Sequence, residues 1–378
     1  MTTALPVTGG DRRRERQPTT PLRSAGTPVA SRPAGLRPRW LVAGVAAVLV
    51  ALVVGVSLGP VALPPGSVAA ELLNLIPGVR LDSGLTEREI AIVTELRLPR
   101  VVLGLLVGGL LALAGGCYQG VFRNPLADPY LLGVAAGAGL AVTAVITLGG
   151  AAGGTLTGLP VTIPLAAFVG SLGAVLLTYL LGVSGGRGRS PATLILAGVA
   201  VSAFFSAGQT YLLQRNSDSI QQVYSWLLGR LATAGWEDVR LVLPYFLVTS
   251  LVVLLYRREM DVLSVGDDEA ASLGLHPQRS RYLLIAAASL GTAAAVSASG
   301  LIGFVGIIVP HTVRLLAGSS YRVILPLSLL FGGAFLALTD VVARTAAAPQ
   351  EIPIGVVTAL LGGPFFVLVL RTTRRVLT

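Results

Sequence analysis

The sequence has 378 residues, 53% hydrophobic and only 12% charged, with 46 glycines. A soluble domain carries about 25% charged residues, so the chain reads as one helical body embedded in lipid, not as two or three water-soluble domains. The formal charge is +10, from 28 arginines and no lysine against 18 acids; the lone Cys117 excludes a disulfide framework, and His276 and His311 are too few for histidine-rich metal chemistry.

In chain order, residues 1–40 are rich in Arg, Pro and Thr and lack apolar periodicity. They read as a disordered cytoplasmic extension; as a signal peptide, their hydrophilic region would be far too long. Apolar stretches of about 20 residues satisfy their own backbone hydrogen bonds as membrane helices. They predict ten spans, at about 41–59, 99–121, 130–149, 161–182, 192–212, 239–256, 282–299, 302–316, 323–343 and 353–370. The eighth is short and glycine-rich and reads as a broken or partial crossing. Continuous apolar runs argue against a β-barrel, whose strands alternate. Short surface helices are expected over Val68–Ile76, Thr86–Leu96 and Ile220–Leu228. In the last, Trp226 is read either as an interfacial anchor or as part of an outer vestibule.

With the N-terminus inside, the cytoplasmic segments and the span ends beside them hold twenty arginines and the opposite face eight. That split obeys the positive-inside rule and puts both termini in the cytoplasm. The positive charge is then a topology signal, not a nucleic-acid surface. Glycine pairs at Gly104/Gly108 and Gly133/Gly137, and the series Gly300, Gly303, Gly306, suit the close helix approach that association in lipid requires.

Some residues break the apolar pattern. Asp340 and Arg344 lie one helical turn apart, Glu351 follows, and Arg97 and Arg100 share a face at the outer start of span two. These groups either snorkel into water or form a charged docking surface for an external partner. On the inner face, Arg123, Asn124, Pro125 and Pro129 form a rigid turn where a helix cannot continue. In the longest cytoplasmic loop, Gly266 precedes Asp267, Asp268 and Glu269, acids suited to a helix N-terminus. Ala270 and Leu273 follow, and Gly274 is placed to end the helix. Such an element is either a contact for a soluble partner or a solvated connector.

No enzyme constellation emerges. Ser264, Ser297 and Thr339 have no general base placed with them, and His311 suits a helix-terminal hydrogen bond or a phosphate contact better than catalysis. Without lysine the chain cannot carry a nucleotide-binding P-loop, so nucleotide-driven work belongs to another subunit. Secondary transport is disfavoured, because no buried acid or histidine relay occupies the spans.

The ordered motifs are Arg97-Leu-Pro-Arg100; Gln119-Gly-Val-Phe-Arg123-Asn124-Pro125-Leu-Ala-Asp128-Pro129; Trp226-Leu-Leu-Gly229; Leu263-Ser-Val-Gly266 with Leu273-Gly274; Gly303-Phe-Val-Gly306 through Pro310-His311 to Arg314; Asp340-Val-Val-Ala-Arg344; and Glu351-Ile-Pro-Ile-Gly355. With these the chain resembles the FecCD-type permeases of bacterial ABC importers for ferric siderophores, vitamin B12 and haem, from about residue 40 to residue 372. The resemblance implies an all-α fold with a ten-helix transmembrane domain over 41–372, in the bacterial cytoplasmic membrane. It implies a second permease subunit, identical or related, two cytoplasmic ATPases that use ATP and Mg, and an extracytoplasmic binding protein or lipoprotein that delivers an iron chelate. No cofactor or metal is expected in this chain. Arg97, Arg100 and Arg344 match arginines that meet acids on the binding protein. Gly266, Asp267, Asp268, Glu269, Ala270, Leu273 and Gly274 match the element that sits in a cleft of the ATPase, where relatives usually carry a glutamate early on. Gly115-Gly116 stands where relatives often pair glycine with serine or alanine, a change expected to touch only packing. A ferric siderophore is the first expectation for the cargo, with vitamin B12 and haem as alternatives. A non-transporting receptor or scaffold is the alternative from another class.

Overall fold

Pro38 opens helix α1 (Pro38–Ser57) at the first turn, where its missing N–H breaks no intrahelical bond. The computed structural model describes residues 35–148, 155–156, 159–160, 162–184 and 191–374. The extension expected over 1–40 therefore lies outside the described residues as far as residue 34. A surface helix, α2 (Pro65–Asn74), follows, close to its expected place. The second surface helix leads directly into the span after it, as its place in the chain suggested. Thr86 and Glu89 cap α3 (Glu87–Ala91) reciprocally. The chain then passes through one π turn, Ile92–Arg97, into α4 (Leu98–Val121). Pro99 supplies no N–H to the preceding turn, which is where a helix accepts a π irregularity.

The turn after α4 leads through a 3₁₀ segment, Pro129–Leu132, and Gly133 at φ +84° into α5 (Val134–Leu148). Asn124 accepts a hydrogen bond from Leu126 N–H, and Asp128 accepts one from Tyr130 N–H, the local capping expected of these residue types. A minimal hairpin pairs β1 (Thr155–Leu156) with β2 (Leu159–Pro160). Then come α6 (Ile163–Ser184), α7 (Pro191–Arg215), α8 (Ile220–Leu227) and α9 (Trp236–Leu255). After the short α10 (Arg257–Leu263) and α11 (Asp267–Ser272) follow α12 (Pro277–Ser299), α13 (Val305–Ala317), α14 (Tyr321–Thr345) and α15 (Ile354–Arg374).

Among the described residues, seven helices are long and apolar enough to cross a membrane, and α5, α13 and α15 are shorter apolar helices. The 13-residue α13 spans only about 20 Å against a hydrocarbon core of about 30 Å. It starts after Gly300 and Phe304, both at positive φ, so the eighth segment is short, as its glycines suggested.

Helices α4, α12 and α14 form the centre: 83% of the apolar window of α4 is buried, against 11% for α7. Close approach at the centre depends on missing side chains. A Cβ on Gly108 would sit 2.3 Å from the Gly332 carbonyl oxygen of α14, and one on Gly115 would sit 2.0 Å from that of Gly306 in α13. Neither position tolerates even alanine without moving backbone. Gly116 differs, because its Cβ would lie 3.3 Å from Leu325 Cδ2, the end of a flexible side chain that can shift to admit it. Of the glycine series in 300–306, Gly303 has open space around its missing Cβ and belongs to no packing stripe.

Trp226 is 3% exposed, packed among Val134, Ala138, Ala167 and Val296. It is therefore not an interfacial anchor. The amphipathic α8 turns this ring into the bundle and leaves Tyr224 exposed.

Candidate functional site

The charged residues gather at two opposite ends of α4. At its first turn, Arg97 and Arg100 point to different partners. Arg97 donates from Nη1 to the carbonyls of Val56 (2.9 Å) and Ser57 (3.0 Å), and from Nη2 to that of Val61. These include orphan acceptors that the last turn of α1 leaves unsatisfied. Arg344 donates from Nη2 to the Gly55 carbonyl. Both arginines are buried, 6% and 4% exposed, and neither snorkels. Arg100 forms two forked pairs. Its Nε and Nη2 donate to Asp340 (2.9 and 2.8 Å), and its Nη1 and Nη2 donate to Glu351 (3.0 and 2.9 Å). Bidentate pairing of this kind is directional as well as strong. Asp340 also faces Arg344 Nε at 3.6 Å, the pair expected from their one-turn spacing.

Arg100, Asp340, Arg344 and Glu351 thus form one network across α4, α14 and the turn before α15, and Arg97 and Arg344 both fasten it to the end of α1. Arg97, Arg100, Arg344, Glu95 and Glu351 line one wall of an open cleft of about 540 Å³. Arg100 and Glu351 continue into a second cavity of about 410 Å³ with Gln222, Ser225, Arg230 and Thr233. The structure brings all three expected arginines together in the lining of the cleft, where the chain's own carbonyls and carboxylates hold their guanidinium groups.

At the other end of α4 lies α11. Its acids occupy the first turn, and Gly274 (φ +83°) ends it. Gly274 N–H reaches the Ala271 carbonyl and Leu275 N–H the Ala270 carbonyl, the paired bonds of a Schellman stop. The seven expected coupling residues differ sharply in exposure. Ala270 is fully buried within the chain and supports α11 from beneath, so it is not a surface open to a partner. Leu273 is 70% exposed and Val265, just before the helix, is 71% exposed. Asp268 and Glu269 are exposed.

Asp267 turns back to the protein. It accepts two bonds from Arg281 in the first turns of α12, at 2.7 and 2.5 Å, and a third from Arg123 Nη2. The Arg281 hydrogen bonds, aided by the charges of Arg281 and Arg123, hold the Asp267 carboxyl below its usual range despite partial burial. It therefore stays charged at neutral pH. Nearby, Asp261 of α10 accepts bonds from Ser320 Oγ (2.6 Å) and Tyr321 N–H (2.5 Å) at the start of α14. Glu259 accepts one from Ser280 Oγ at 2.8 Å.

The role of Arg281 was not found by reading the sequence, which counted it only as a cytoplasmic charge. A signal existed: a cation in the first turns of a helix opposes the helix dipole and calls for a specific anionic partner. His311 carries no comparable network; its ring meets Phe365 edge-on at 5.8 Å.

Comparison with known proteins places this geometry. Residues 47–372 match the model of the FecCD transport family. The cobalamin import system permease protein BtuC of Halobacterium salinarum is 44% identical over 79% of this chain and 78% of its own length. The Fe(3+)-citrate import system permease protein YfmE of Bacillus subtilis is 33% identical over 90% of this chain and 97% of its own. The hemin transport system permease protein HmuU of Yersinia pestis is 38% identical over 73% of this chain and 82% of its own. A solved structure described as an inward-facing conformation of a metal-chelate type ABC transporter aligns with a TM-score of 0.76 at 29% identity, over 89% of this chain and all of that one. With its multi-pass helical body and a match over most of its length, the chain belongs to the FecCD transport family.

Proposed function

We propose that this permease is the membrane subunit of an ATP-driven importer that carries a ferric siderophore across the bacterial cytoplasmic membrane. Support comes from the two-ended arrangement on α4: an arginine-floored cleft at one end and a short helix with exposed apolar flanks at the other. In this reading the chain crosses ten times, the three shorter helices included, and the α11 end and both termini face the cytoplasm. Two separate ATPase subunits supply the chemistry with ATP and Mg, docking on α11 through Val265 and Leu273. A binding protein or lipoprotein docks outside, and a second permease subunit, identical or related, completes the path. The exposed apolar face of α7, with Leu196, Val199 and Phe204, is available to that copy or to lipid.

Names of the iron-citrate relatives support an iron chelate. The 44% identity to the cobalamin permease favours vitamin B12 as the second reading. Proteoliposomes holding the permease, its ATPase and its binding protein decide between them. ATP-dependent uptake of a radiolabelled ferric siderophore, without uptake of labelled cobalamin, is expected. Uptake of cobalamin alone would assign the second reading, and ATPase association without uptake of any chelate would assign a receptor.

The cleft makes a separate prediction about docking. Glu351, with a side chain 37% exposed, already occupies one edge of Arg100. An acid from a binding protein must compete with it, while Arg97 and Arg344 add positive potential from below. Glu351→Gln should therefore tighten docking about two- to fivefold at low salt and less at high salt, as expected of a rim charge. Binding-protein affinity at two salt concentrations checks it; weaker docking in this variant would remove the cleft from that role.

A further inference from the structure

We infer that Arg123 is the positioning residue that ties α11 to the core helices α4 and α12, so that a load on α11 moves the bundle; the inference rests on the transport reading above. The first observation is backbone. Arg123 sits just past the end of α4 at φ +50°, a left-handed conformation that L-residues adopt at a cost glycine avoids. The turn is fixed in that state by Arg123 N–H to the Gly120 carbonyl (3.3 Å) and Asn124 N–H to the Gln119 carbonyl (3.1 Å). A side chain kept at such a position is a candidate for function.

The second observation is what the side chain holds. Arg123 Nε donates to the carbonyl of Leu263, the last residue of α10, at 2.9 Å, and Nη2 donates to Asp267, the first residue of α11. One guanidinium therefore grips both sides of the 264–266 connection. Asp267 in turn grips Arg281 of α12.

The third observation is how α11 is held against its neighbours. Its own ends are closed by Gly266 and by the Gly274 stop, bonds that fix the helix but not its place on the bundle. Ala270 packs α11 onto the protein, but contact alone does not fix direction; the forked Arg281–Asp267 pair and the Arg123 bond to the same carboxylate do. The helices they attach to, α4 and α12, are the two most buried of the candidate spans among the described residues. From Arg100 to Val121 α4 runs about 32 Å, and its far end carries Arg100 in the lining of the cleft. A push or pull on α11 is thereby delivered to a stiff rod that reaches the opposite face.

The test uses the complete complex of permease, ATPase and binding protein in liposomes. Arg123→Gly deletes the guanidinium while suiting the positive φ, so the turn survives; Arg123→Asn, also tolerant of that conformation, is the second variant. Both should co-purify with the ATPase as the parent does and still hydrolyse ATP, while chelate transported per ATP falls by about threefold or more. Asp267→Ala should lower the same ratio, and the Arg123→Gly/Asp267→Ala pair should fall no more than about twofold below the worse single variant, because both remove one joint. An unchanged ratio in both Arg123 variants, or losses that multiply in the double variant, would overturn the inference while leaving the transport reading intact. Failure of both variants to fold would make Arg123 a folding residue and equally end its role as a joint. If the parental permease binds no ATPase, the transport reading falls and takes this one with it.

Discussion

Replacing Asp340 with alanine is expected to cost the bundle about 3 kcal/mol or more of stability, the usual penalty when one partner of a buried ion pair is removed. The carboxylate is 2% exposed and sits between Arg100 and Arg344, accepting two bonds from the first and facing the second at 3.6 Å. Its removal leaves Arg344, 4% exposed, with no carboxylate beside it, and leaves Arg100 to Glu351 alone. Glu351→Ala is the contrast: its side chain is 37% exposed, and an ion pair open to water contributes about 1 kcal/mol at most. Unfolding of the purified permease in mixed micelles, followed by tryptophan fluorescence, should rank the two variants in that order. A loss below about 1 kcal/mol for Asp340→Ala would mean that the cluster is solvated despite its place in the fold. By the same argument, reversing the charges of Arg97, Arg100 and Arg344 together should yield little folded protein. Lost docking in that triple variant would then say nothing about a docking role, which is why the exposed Glu351 edge is the place to test it.

The two ends of α4 show which interactions a sequence displays and which it hides. The pairing of Asp340 with Arg344 is legible because four residues on a helix make about one turn. That Arg100 would meet Asp340, 240 residues away, has no local signature, since periodicity fixes the face a residue occupies and not the helix it meets. The short helix over Asp267–Ser272 was readable from its acids and from Gly274, whose backbone requirement is local. Its orientation was not readable. Six residues make fewer than two turns, so no apolar stripe separates the buried Ala270 from the exposed Leu273, and both were assigned to the partner surface. For Trp226 the interfacial anchor fails and the vestibule reading fits: an amphipathic ring in a short segment between spans suits an interface, but residue type says nothing of α5, α6 and α12, which cover the ring beside an outer cavity. The glycines were half legible. Spacing marked Gly108, but its partner Gly332 and the pairing of Gly115 with Gly306 depend on which helices cross.

Leu273→Asp should abolish stable association with the ATPase, lowering co-purification by about tenfold or more. The side chain is 70% exposed at the end of α11, with Val265 similarly exposed at its start. Apolar groups left in water on both flanks of a projecting helix are suited to a partner's surface, and a charge placed there must be desolvated when the partner arrives. Val265→Asp should act in the same direction. Ala270→Trp should act differently: with no exposed surface on Ala270, the indole has no room beneath α11, and overpacking of that kind destabilises by about 1–3 kcal/mol. Its expected signature is a lower yield of folded permease, with whatever folds still weakened in ATPase binding because α11 is displaced. Folded yield by gel filtration and ATPase co-purification, measured on the three variants side by side, separate a surface effect from a packing effect. If Leu273→Asp and Val265→Asp both retain the ATPase at the parental level, α11 is a connector facing water or head groups, and the motor must engage the bundle elsewhere, with the exposed Leu315 and Leu316 at the end of α13 the next apolar surface to probe.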